Sequence, residues 1–102
     1  MTKKEWNEVY EKLHNIYYEF ILAYADYQNG KTHKIKEEGI KKCYLMIDKT
    51  LSILTSNIET EEFLFGENPN EMKKVAILED FRKPQYFDRD MNHIIEKIHK
   101  LT

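Results

Sequence analysis

Two Glu-x-x-His motifs, Glu11-Lys-Leu-His14 and Glu96-Lys-Ile-His99, carry residue types that could do metal chemistry. On separate helices, with two further inward-facing glutamates, such motifs can hold a pair of metal ions between carboxylates and imidazoles. Their register decides the matter. With Trp6 as position a of a seven-residue repeat, Glu11 falls at f and His14 at b; with Met91 as position a, Glu96 and His99 take the same places. Both motifs therefore lie opposite the apolar seams of their helices and read as surface pairs, and no metal or other cofactor is expected. Cys43 is the single cysteine, which excludes an intramolecular disulfide and a cysteine-based zinc site. Within an apolar helical stretch it reads as a small buried hydrophobe.

Arg89-Asp-Met-Asn-His93 offers a different chemistry. A guanidinium and an imidazole one helical turn apart can share a face, where one holds a phosphate and the other moves a proton. The segment resembles the Arg-polar-x-x-x-His element of the HEPN superfamily of small helical ribonucleases. The likeness covers these five residues, and three residues separate Arg89 from His93 where the family has at least four. It implies an alternative reading as a small RNA-acting or nucleotide-binding protein that uses Arg89 and His93.

Tyrosines form a third constellation. Tyr10, Tyr17 and Tyr24 are spaced by seven beside the seam of the first helix, with Tyr18 and Tyr27 nearby. Such rings serve either as half-buried boundary residues or as interface contacts that supply area at low entropic cost. Phe63 and Phe65, set among the acids of Glu59–Glu71, are candidates for the same role or for plugging a bundle end. At the first hairpin turn, Tyr24, Asp26, Tyr27, His33 and Glu37 form a polar group that reads as a wet hairpin tip. The glycines Gly30, Gly39 and Gly66 are too scattered for a phosphate loop, and Ser52 and Ser56 have no nucleophile-elbow context.

The elements that must position these groups are helices. Thr2 and Glu5 form a Thr-x-x-Glu capping box. Trp6, Val9, Leu13, Ile16, Phe20, Ala23 and Tyr27 then alternate by three and four, and Asn29-Gly30 marks the stop through a left-handed glycine. A second helix, capped by Thr32, carries Ile40, Tyr44, Ile47, Leu51, Leu54 and Ile58, with Cys43 beside the stripe. Gly39 weakens its first turns. The short connection predicts an antiparallel hairpin that sets Phe20 near Ile40, Ile16 near Tyr44, Leu13 near Ile47 and Val9 near Leu51. Glu59–Asn70 reads as a turn-rich segment holding at most a turn of helix. A short third helix starts within Asn68-Pro69-Asn70-Glu71, with Pro69 in its first turn, and runs to about residue 83, with Met72, Val75 and Leu78 on one face and Ile77 and Phe81 broadening it. Pro84 ends it. The last helix starts at an Asp88 cap and carries Met91, Ile94, Ile98 and Leu101 inward. The expectation is an all-α fold in a single domain, residues 1–102: a small antiparallel four-helix bundle of one long hairpin with a short third and a fourth helix.

Composition bounds the function. With 16 basic and 18 acidic residues the net charge is −2, so nucleic acid is disfavoured as a partner. No apolar run is long enough for a membrane span, no signal-peptide core opens the chain, and a cytoplasmic location is expected. These readings favour a non-catalytic protein–protein interaction module, such as a small regulator, inhibitor or immunity-type factor, over an enzyme. Its partner is a protein, with a homodimer among the options, and Tyr10, Tyr17, Tyr24, Phe63 and Phe65 are the expected contacts.

Overall fold

A computed structural model describes all 102 residues. The chain is all-helical, with α1 (Lys3–Asn29), α2 (His33–Leu54), α3 (Ile58–Phe65), α4 (Glu71–Phe81) and α5 (Pro84–His99). Helix α1 opens on the expected capping box: the Glu5 amide donates to Thr2 Oγ1 at 3.1 Å, and the Thr2 amide donates to Glu5 Oε1 at 3.0 Å. It stops at Asn29 as expected, yet Gly30 has φ −58° and is not left-handed. Glycine is required there by space, because a Cβ would lie 2.4 Å from the Asp26 carbonyl oxygen and 2.8 Å from Ile35 Cγ2. Thr32 caps α2 by accepting from the Ile35 amide at 3.1 Å.

The inner face of α2 is rotated from the apolar stripe. Ile47, Leu51 and Leu54 are buried as expected, but Cys43, Met46 and Thr50 join them while Tyr44 is exposed. Thr50 can enter the core because its hydroxyl donates back to the Met46 carbonyl at 3.0 Å, leaving no unpaired polar atom. The hairpin register shifts accordingly. Ile16 shares a groove with Lys49, Ser52 and Ile53, not with Tyr44. The side of α2 turned to α1 includes Gly39, whose missing Cβ lets the helices close: a Cβ there would sit 2.7 Å from the Ala23 carbonyl oxygen and 2.8 Å from the Tyr27 amide nitrogen.

The remaining elements differ most from expectation. Ile58, assigned to the core stripe of α2, is exposed and starts a separate helix, so there are five helices and not four. Asn57 caps α3, and the buried Thr60 hydroxyl ties its first turn back to the Leu54 and Asn57 carbonyls at 2.8 and 2.9 Å. Asn70 caps α4 through the Lys73 amide. The inner face of α4 is Ile77, Leu78 and Phe81; Met72 and Val75, expected inside, are exposed. Helix α5 starts at Pro84, four residues before the expected Asp88 cap. Proline suits the first helical position, where no amide is needed, so one residue ends α4 and begins α5. Leu101, expected inward, lies beyond α5 and is exposed.

Helix α5 runs antiparallel along α1, with His99 beside Tyr10, Asp88 beside Tyr17 and Phe87 beside Phe20. Helix α4 packs on α5, and α3 closes the end of the hairpin. A continuous core of 17 buried apolar residues draws on all five helices. No helix is long and apolar enough to cross a membrane.

Candidate functional site

The tyrosine file lies where α5 meets α1. Tyr10 stacks on His99 with ring centroids 4.5 Å apart, and His14 lies on its other flank at 5.8 Å. Tyr17 directs its hydroxyl at the carboxylate and carbonyl of Asp88, at 3.2 and 3.3 Å. Burial, then the neighbouring Asp88 charge, pushes that phenol up to about 12. Tyr24 stacks on Phe20 at 5.4 Å and on Tyr27 at 6.3 Å. All three rings are half-buried. Phe63 packs edge-on against Trp6 at 5.6 Å, and Phe65 is buried beneath the Lys74 ammonium. The acidic-loop aromatics thus face the bundle, while Tyr24 stacks on the exposed Tyr27.

Arg89 and His93 come together. With Asp80, Asp90, Phe63 and Phe81 they line a cleft of about 320 Å³ between α3, α4 and α5. The Arg89 guanidinium is already engaged: Nε and Nη2 donate to the Asp90 carboxylate at 2.8 and 3.2 Å, and its plane lies 4.7 Å from the Tyr86 ring centroid. The Asp90 hydrogen bond raises its affinity for its proton further. The two Glu-x-x-His motifs are exposed, and their histidines meet on Tyr10. Nowhere do three His, Cys, Asp or Glu side chains converge as metal ligands. Burial pushes the Cys43 thiol up to about 11, so it is a poor nucleophile at neutral pH. At the hairpin tip, Glu37 pairs with Lys41 at 3.7 Å and His33 is exposed.

The second half of α1 departs from an ordinary solvated helix surface. Tyr18 is 60% exposed, Ile21 43% and Leu22 52%, and Ala25 lies on the same face. They occupy the positions b, c and f that a solvated helix gives to charge. Between Tyr18 and Gln28 the only charged residues are Glu19 and Asp26, seven apart and so within about 20° of each other around the axis. The rest of the circumference is uncharged: Phe20 and Ala23 in the core, Tyr24 half-buried against Phe20, Tyr27 exposed beside it, and Tyr18, Ile21, Leu22 and Ala25 facing out. A helix that is apolar all round is normally covered on every side. Reading the tyrosines as one file hid this, because Tyr18 belongs with Leu22 and Ala25, at spacings of four and three, and not with Tyr10, Tyr17 and Tyr24. The available signal was apolar residues at b, c and f.

The fold is all-helical, and the second half of α1 leaves apolar side chains exposed. No protein-family model matches the chain, and no curated protein or solved structure shows significant similarity to it.

Proposed function

We propose that the protein is a non-catalytic interaction module that binds a protein through the second half of α1. The observation that carries this reading is the exposure of Tyr18, Ile21 and Leu22 on a stretch whose outward positions hold no charge. Each side chain is already about half covered by its own helix, so completing its burial is worth about 1 kcal/mol, or about 3 kcal/mol for the three together. That corresponds to more than a hundredfold in dissociation constant, enough to make the three a small anchor cluster.

The test compares tagged wild type with Leu22→Glu, an exposed substitution that leaves the core intact, in quantitative pull-downs. A protein recovered near stoichiometry by wild type and lost by Leu22→Glu supports the reading. Equal recovery by both, or no binding of any protein including itself, sinks it.

A second reading rests on the cleft shared by Arg89 and His93, which would hold an RNA or nucleotide phosphate with His93 as acid or base. It requires Arg89 to give up Asp90 and Tyr86 first. Loss of RNA cleavage in His93→Ala at unchanged melting temperature would favour it; a wild type with no such activity removes it.

A further inference from the structure

We propose that the occupant of the uncovered half of α1 is a second copy of this chain, laid antiparallel along it about a two-fold axis near Ile21 and Leu22; this rests on the interaction reading above. On the face opposite the core seam, Glu11, Asn15, Tyr18, Leu22, Ala25 and Asn29 alternate by four and three. That is a second seam on the same helix, of the kind that packs one helix lengthwise against another.

Its sequence is self-complementary under a two-fold axis, as an isologous contact demands. Tyr18 of one copy falls opposite Ala25 of the other, large against small, twice over. The Ile21–Leu22 pairs meet at the centre, and Asn15 faces the Gln28–Asn29 end with hydrogen-bonding groups on both sides. The charges follow the same rule. Glu11 lies about 16 Å from the centre along α1, and Lys31 follows the other end of that helix, sharing a groove with Ala25 and Asn29, so each glutamate lands near the other copy's lysine. Neither Glu11 nor Lys31 has an ion-pair partner within its own chain. A parallel arrangement would instead set Glu8 and Glu11 against their own copies.

Sedimentation velocity from micromolar to near-millimolar protein tests this. Wild type is expected to show a reversible monomer–dimer equilibrium, which Leu22→Glu abolishes. Glu11→Lys and Lys31→Glu should each weaken the dimer about tenfold, by removing two symmetric pairs and introducing like-charge contacts. The double variant should restore it. A monomer at every concentration overturns the proposal, as does a dimer whose strength the two charge variants leave unchanged or the double variant fails to rescue. If the monomer nonetheless captures a different protein in a Leu22-dependent way, the second copy is wrong and the binding face stands. If Leu22→Glu changes nothing in either assay, both fall.

Discussion

Replacing Gly39 with alanine sets two effects of opposite sign against each other. Gly39 lies in the first half of α2, where alanine is favoured over glycine by about 1 kcal/mol in a free helix. On that ground alone Gly39→Ala stabilises. However, the new Cβ would sit 2.7 Å from the Ala23 carbonyl oxygen, 2.8 Å from the Tyr27 amide nitrogen and 3.1 Å from Asp26 Cβ. The first two are backbone atoms of α1, which cannot swing aside as a side-chain end can. Relief requires the hairpin to open by roughly half an ångström or more, and forcing an extra methyl into a closed contact costs about 1–3 kcal/mol. After the propensity gain is subtracted, a net loss of about 1 kcal/mol, and up to about 2, remains. For a chain of this size that lowers the melting temperature by about 4–8 °C per kcal/mol. Thermal and urea unfolding followed by far-ultraviolet circular dichroism would measure it. A raised melting temperature would refute the reasoning, since it would mean that the α1–α2 crossing is slack at Gly39 and that helix propensity governs there.

Two other predictions follow from polar groups placed against α5 and α3. Because Tyr17 holds its proton up to about pH 12 in the folded chain, against 10 ordinarily, the folded state loses stability as pH rises from 10 through about 12. Tyr17→Phe should cost about 1 kcal/mol at neutral pH through the lost Asp88 hydrogen bond, and the gap from wild type should narrow by pH 11; parallel pH–stability curves would contradict this. Thr60→Val removes the buried hydroxyl that ties α3 to the Leu54 carbonyl and should destabilise by about 1–2 kcal/mol, with an unchanged urea midpoint as the result that would tell against it.

How much of this was legible in the sequence depends on the kind of signal. The Thr2–Glu5 capping box and the Thr32 cap were legible because each requires only neighbouring residues, whereas Pro69, expected in the first turn of the third helix, precedes the Asn70 cap of α4 and lies outside it. Choices of face were less secure, because apolar identity does not say which apolar residues go inside. In α2 the buried Thr50 carries its own hydrogen bond, so a polar letter stands at a core position while Tyr44 points out. In α4, Met72 and Val75 fit the same period as Ile77, Leu78 and Phe81, and only packing on α5 selects between them. Pro84 shows a related ambiguity, since one residue both stops a helix and starts the next. The site followed the same division. Arg89 and His93 were legible as a pair from spacing alone, but the Asp90 and Tyr86 contacts that occupy the guanidinium depend on side-chain geometry.

The proposed interaction reading rests on which groups the fold leaves unsatisfied. A reactive site keeps polar groups poised, with a charge or proton held in tension by its surroundings. Here the chemically capable residues are quieted by their neighbours: Arg89 by Asp90, the Tyr17 hydroxyl by Asp88, the Cys43 thiol by burial. Every buried side-chain nitrogen and oxygen has a hydrogen-bond partner. What remains unmet is apolar, including Tyr18, Ile21 and Leu22 on α1, Tyr44 and Leu45 on α2, and Met72 and Val75 on α4. Isolated exposed apolar residues are ordinary on any surface, but a stripe at helical spacing with its charges confined to the ends is not. Its residues gain free energy by being covered. Glu11 and Lys31, neither of them ion-paired, lie at the two ends of that stripe, where they would fix the register of a second copy, which is why the charge swap, and not the loss of an apolar contact alone, discriminates a second copy from any other partner.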